Sequence, residues 1–173
     1  MKAIDTGDII PGLLLTDING QVHDISKIRG KKQIVLIFYP PDGSNGCKNS
    51  VCQFHDMSDY FDREKFEIFG ICGLPQEKIK DSMRFQDLNF PIICDNDFTA
   101  RKSFGIPFLS IGKYNRLFIY AFGLQQGRLT FVTNRDGRII YKTNSSDGLK
   151  CQADEALKIL FLLGKNIQVN SAG

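Results

Sequence analysis

Residues 33–39 read Gln-Ile-Val-Leu-Ile-Phe-Tyr, and no other stretch restricts the fold so tightly. β-Branched and aromatic side chains follow one another without a charge. An amphipathic helix would interrupt such a run every third or fourth position, and a half-exposed strand every second. A strand covered on both faces tolerates it. Pro40-Pro41-Asp42-Gly43 then stops the run. The longest apolar stretch, Ile34 to Pro41, is far short of the roughly 20 residues that a membrane-spanning helix needs.

Other elements arrange themselves around this strand. Leu13–Thr16 and Gln21–His23 flank Asn19-Gly20, a strong two-residue hairpin signal. The spacing predicts a helix over 46–62, with Cys47, Val51, Phe54, Ser58 and Phe61 along one face. Phe66–Cys72 returns to strand character. Pro75 opens a helix predicted to run to Leu88, because its missing N–H costs nothing in a first turn. Phe90–Cys94 reads as a strand, and Thr99–Phe104 as a short helix stopped by Gly105. Residues 106–127 are aromatic-rich but show no clear period. Leu129–Thr133 and Arg138–Lys142 form a second hairpin about Asp136-Gly137, and 154–163 a last helix. Alternation of this kind implies an α/β sandwich with a parallel core and antiparallel additions, compatible with a thioredoxin-like sheet.

Size and charge narrow the function. The chain has 173 residues, which predicts one domain, with 166–173 as a frayed tail. Its 22 Lys+Arg against 19 Asp+Glu leave a net charge of +3. That balance points to neither a nucleic-acid nor a membrane partner. Lys27, Arg29, Lys31 and Lys32 read as a solvated loop before the strand, and His23 as a surface residue. The N-terminus has early acidic residues and no apolar core of a signal peptide, so a reducing, cytoplasmic location is expected. The odd cysteine count, five, does not resemble a secreted disulfide framework. Cys72 and Cys94 read as core residues, and Cys151 as inert. No dinucleotide fingerprint or phosphate loop is present.

One segment concentrates the chemistry. The strand ends, a glycine-bearing turn follows, and a predicted helix begins with Cys47 in its first turn. Sites in open α/β sheets gather beyond the carboxyl ends of strands. A helix N-terminus favours thiolate over thiol, which makes Cys47 a candidate nucleophile. Ser44 stands where it can cap that helix and also bind a ligand. Cys47, Cys52 and His55 do not make a zinc site, because their directions around a helix differ and a fourth ligand is missing.

The pattern Pro40-x-x-x-Ser44-x-x-Cys47 resembles the active-site signature of the peroxiredoxins. The preceding Phe38-Tyr39 and the following Cys52 are similar to the bacterioferritin comigratory protein, or peroxiredoxin Q, subfamily. Gly7-Asp8-Ile9-Ile10-Pro11, the stretch from Cys94-Asp95-Asn96-Asp97 to Phe104-Gly105, and Arg128-Leu129-Thr130-Phe131-Val132 with Asp136-Gly137 extend the resemblance over most of the chain. It implies a thioredoxin-like fold with a mixed central sheet, helices on both faces and an N-terminal hairpin. It implies Cys47 as the peroxidatic cysteine, with Arg128 stabilising its thiolate and orienting the peroxide. Ser44 would hydrogen-bond the peroxide, and Pro40 would shield the sulfur. Cys52 would resolve the sulfenic acid as an intramolecular disulfide, and a thioredoxin-type partner would reduce it. Hydrogen peroxide and alkyl hydroperoxides would be substrates, the protein a monomer, and no cofactor or metal required.

On an intact helix, positions five apart have Cα atoms roughly 8.7 Å apart, beyond the usual disulfide limit near 6.8 Å. A Cys47–Cys52 bond therefore requires local unwinding. Asn45 replaces the subfamily's usual proline, Ser50 its frequent glutamate, and Ser44 the commoner threonine. Two other classes compete with a peroxidase. A protein thiol–disulfide oxidoreductase would share the fold, although its usual Cys-x-x-Cys is absent. A non-catalytic redox-switch or binding module would use the disulfide alone.

Overall fold

The computed structural model describes residues 3–39, 65–81, 89–106 and 129–144. Its centre is a five-stranded mixed sheet. In chain order the strands are β3 (Gln33–Phe38), β4 (Phe66–Cys72), β5 (Ile92–Cys94), β6 (Leu129–Thr133) and β7 (Ile139–Asn144). Across the sheet the order is β5-β4-β3-β6-β7. β3, β4 and β5 are parallel, and β6 and β7 are antiparallel to their neighbours. Before it lie a separate hairpin, β1 (Leu14–Thr16) and β2 (Val22–Asp24), and a one-turn helix, α1 (Ile25–Ile28). Helices α2 (Gln76–Lys80) and α3 (Thr99–Ser103) flank β5 in sequence.

The uninterrupted apolar run finds its reason in the position of β3. Every residue of that strand is buried. Val35, Ile37 and Tyr39 join one apolar cluster with Ile68, Cys72, Ile79, Ile92 and Val132. Ile34, Leu36 and Phe38 join the other, with Ile10, Leu15, Ile25, Phe69, Ala100, Phe104 and Phe131. Each such side chain contributes about 1.5–3 kcal/mol by leaving water. Ile79 brings α2 to one face, while Ile25 and Ala100 bring α1 and α3 to the other. The layering is that of the thioredoxin-like sandwich expected above.

Both sheet edges are partly covered. Gly7 donates its backbone N–H to the carbonyl of Ile139, the first residue of β7, and Ile10 donates to Gly137 just before it. The Ile18 N–H donates to the Ile92 carbonyl at 2.9 Å, which fastens the hairpin to β5. Unpaired strand edges invite association, so this cover has a purpose. The hairpin turns where Asn19-Gly20 places it, with Gly20 at φ +85°.

Three expectations change. Helix α1 is unforeseen: four residues are too few to show a period, and the turn is closed by the Asp24 carboxylate accepting from the Ser26 N–H. His23 is not a surface residue. Its side chain is 11 % exposed, and Nε2 lies 3.0 Å from Asp17 Oδ2. The basic cluster is partly engaged: Lys32 pairs with Glu67 at 2.7 Å, and Arg29 donates to the Ile10 carbonyl. The predicted helices over 46–62 and 154–163, and the segment 107–127, lie outside the described residues, as does 82–88 of the helix opened by Pro75.

Candidate active site

The three parallel strands end side by side, at Phe38, Cys72 and Cys94. The Tyr39 N–H donates to the Ile71 carbonyl and the Asp95 N–H to the Cys72 carbonyl, both at 2.8 Å. This is the edge of an α/β sheet where sites assemble. Tyr39 immediately precedes Pro40 in the chain, and Leu129 immediately follows Arg128. Leu129 is the register partner of Phe38 in the antiparallel β3–β6 pair. Partners of this kind have Cα atoms about 4.5–5.5 Å apart. The end of β3, which leads in sequence to Pro40, and the start of β6, which follows Arg128 in sequence, are therefore neighbours at one end of the sheet. Pro40, Ser44, Cys47, Cys52 and Arg128 themselves lie outside the described residues, as do His55 and Cys151.

Cys72 and Cys94 are register partners in β4 and β5. Cys72 is fully buried and Cys94 partly so, packed against the same apolar cluster. Burial pushes both thiols up from their ordinary range. Thiols so raised are poor nucleophiles near neutral pH, which suits the core role expected of them. The Cys94 thiol donates to the Leu74 carbonyl at 3.3 Å.

A charged pair that sequence reasoning did not single out lies at these strand ends. Arg101, on α3, is only 1 % exposed, and Asp95 only 3 %. The Asp95 carboxylate accepts from the backbone N–H groups of Ala100 at 2.8 Å and Arg101 at 3.1 Å. Arg101 Nε lies 3.9 Å from Asp95 Oδ2. The other end of the same guanidinium, Nη2, donates to the Tyr39 carbonyl. The guanidinium carbon sits 5.8 Å from the centre of the Phe38 ring, a cation–π distance. Burial raises the Asp95 pKa above its ordinary value, making the carboxyl a weaker acid, against the backbone donors and the Arg101 charge that lower it. Phe98 enters α3 at φ +58°, a left-handed conformation that a bulky side chain rarely adopts. A charged residue in a short helix ordinarily reads as solvent-facing. The only usable signal is an aspartate capping the turn that follows it, five and six residues ahead of the N–H groups it holds.

Gly70, in β4, makes room beside Tyr39. A Cβ there would come within 2.9 Å of Tyr39 Cε2 and 2.5 Å of Ile92 Cδ1. Among the described residues no three His, Cys, Asp or Glu side chains gather where they could hold a metal ion.

Comparison with known proteins bears on the family and the fold. The model of the AhpC/TSA family matches residues 6–142. A chloroplastic peroxiredoxin Q of Oryza sativa subsp. japonica is 29 % identical over 157 residues, covering 91 % of this chain and 67 % of that one. The crystal structure of peroxidoxin BcpB from Mycobacterium tuberculosis superposes with a TM-score of 0.73 at 25 % identity, covering 91 % of this chain and 96 % of that one. The fold is also that of the Xanthomonas campestris bacterioferritin comigratory protein, described for its alkyl peroxide reduction activity (TM-score 0.69, 18 % identity, 94 % and 98 % covered).

Proposed function

From the premise that the chain belongs to the AhpC/TSA family, we propose that it is a thiol peroxidase that reduces hydrogen peroxide and organic hydroperoxides through Cys47. The observation that carries this reading is the Phe38–Leu129 register pair. It joins the strand leading into the Pro40–Cys47 signature to the strand that follows Arg128. A nucleophile and a fixed cation 81 positions apart in the chain need such a junction to meet.

In the proposed cycle the Cys47 thiolate attacks the distal peroxide oxygen. An S–O bond forms as the O–O bond breaks, and the leaving hydroxide or alkoxide takes up a proton. Arg128 and the Ser44 hydroxyl stabilise charge as it moves onto the leaving oxygen. Pro40 keeps water from the sulfur. The Cys52 thiol then displaces hydroxide from the Cys47 sulfenic acid, giving a disulfide and water. A thioredoxin-type dithiol exchanges with that disulfide, becoming oxidised as Cys47 and Cys52 return to thiols. The cycle draws on a reducing cytoplasm and is assigned to a monomer.

The test treats reduced protein with one equivalent of hydrogen peroxide and maps the products by non-reducing peptide mass spectrometry. Wild type should give a Cys47–Cys52 disulfide, Cys52→Ser a Cys47 sulfenic acid, and Cys47→Ser neither. A bond from Cys47 to another cysteine would remove Cys52 as the resolving residue. Reaction at Cys47 no faster than at free cysteine would overturn the peroxidase reading. Continuous NADPH consumption with thioredoxin and its reductase, lost in both variants, tests the recycling step.

A further inference from the structure

Arg101 is the largest fully buried side chain among the described residues. A guanidinium carries its charge at every physiological pH, so enclosing it is costly unless its donors are used. Here one donor is used in a hydrogen bond, and the charge is answered by an acid at ion-pair distance, 3.9 Å. Nε faces the Asp95 carboxylate, and Nη2 donates to the Tyr39 carbonyl. Asp95 is itself fixed by two backbone N–H groups of α3, and its own N–H is fixed to the end of β4. The Tyr39 N–H is likewise fixed to β4. Both sides of the Tyr39 residue are thereby held, one by the sheet and one by a cation.

We propose that Arg101 is a positioning residue for the peroxide reaction, bridging Asp95 and the Tyr39 carbonyl so that the chain leaves β3 for Pro40 in one direction only. This rests on the peroxidase reading of Cys47 given above. The Tyr39 carbonyl carbon is bonded directly to the Pro40 nitrogen, so the plane of that carbonyl sets the plane from which the signature segment departs. A planar fork suits the task because it reaches acid and carbonyl together, which a single ammonium cannot. Loss of the bridge frees the Tyr39–Pro40 peptide to tilt. A misplacement near 1 Å costs a reaction of this type about a hundredfold.

The experiment uses the full chain as Arg101→Met, Arg101→Lys and Arg101→Gln, beside Ile25→Ala as a variant destabilised elsewhere in the core. Single-turnover rates with hydrogen peroxide are measured together with the pH profile of Cys47 alkylation by chloroacetamide. Arg101→Met should lose about ten- to a hundredfold in the peroxide rate, while the midpoint of its alkylation profile stays with wild type. Arg101→Lys and Arg101→Gln, each keeping one donor nitrogen, should fall between. Ile25→Ala should melt earlier yet react with peroxide at the wild-type rate. A folded Arg101→Met with the wild-type peroxide rate overturns the proposal. If Arg101→Met does not fold, Lys and Gln variants at the wild-type rate overturn it equally. Failure of all three to fold would make Arg101 a stability residue and overturn it too. A wild-type Cys47 no faster than free cysteine is a separate result, read before any variant, and removes the peroxidase reading beneath it.

Discussion

Asp17 in the hairpin and Asp95 at the strand ends are both buried, and each carboxylate accepts two backbone N–H groups. They nevertheless shift in opposite directions. Burial pushes Asp17 up, but the His23 hydrogen bond and the Gln21 and Asn19 N–H groups outweigh it, and its pKa falls below the ordinary 3.8. At Asp95 burial prevails over its donors and the Arg101 charge, and the pKa rises. The partners of Asp17 all come from residues 19–23, so this aspartate stitches a hairpin to itself. Asp95 instead joins α3, β4 and, through Arg101, the end of β3. The deeper site holds pieces distant in sequence together, and it does so at a higher cost in desolvation.

The comparison breaks most sharply at the deep pair. Asp95→Ala leaves a guanidinium enclosed without its acid and should cost about 3–5 kcal/mol in urea unfolding. The double variant Asp95→Ala/Arg101→Met should recover part of that loss, because two apolar replacements leave no charge behind. Gly70→Ala, which crowds the Tyr39 ring from the other side, should cost about 1–3 kcal/mol by the same measurement. Asp17→Asn should cost about 1–3 kcal/mol at neutral pH, since its charge-assisted hydrogen bonds are lost.

pH profiles sharpen the contrast further. Asp17 has a lowered native pKa, so its contribution is present above about 3.8 and disappears as pH falls through the native value. The deficit of Asp17→Asn should therefore shrink in acid. Asp95 has a raised native pKa, so the wild type loses stability as pH climbs from about 3.8 through the native value. Asp95→Asn should accordingly gain on wild type over that interval. Parallel urea titrations from pH 3 to 7 check both signs, and slopes of the same sign would end the distinction. The smallest effect belongs to the partly exposed Lys32–Glu67 pair. Glu67→Gln should change stability by less than about 1 kcal/mol, and less again in high salt.

What the sequence made legible follows from where each signal resides. β3 was readable because burial on both faces removes polar residues altogether. The first hairpin was readable because its turn needs glycine at positive φ, at Gly20. α3 was placed well, at Thr99–Ser103, since Gly105 ends it with φ +60°. Helix α1 and the burial of His23 were not readable, because each depends on one aspartate finding its partner. Arg101 was hidden for a stronger reason: its enclosure is decided by the Tyr39 carbonyl, 62 positions away. The candidate site divides in the same way. The Pro40–Cys47 signature and Arg128 are local motifs and can be recognised as such, whereas the charged brace beside Tyr39 exists only once three strands have met.

The central strand also has a history within the growing chain. Ile34 donates its N–H to the Thr133 hydroxyl, 99 positions later, and β3 needs β6 along its whole outer half. At ribosomal speeds, the stretch between them takes on the order of 5–20 s to be made. For that time the most apolar ribbon of the protein has emerged with one of its two neighbours still unwritten. Its first shelter must come from β4, made about 30 positions on. A nascent chain halted before residue 129 should thus expose one flank of β3 to chaperones, and release of the chain past residue 133 should close it.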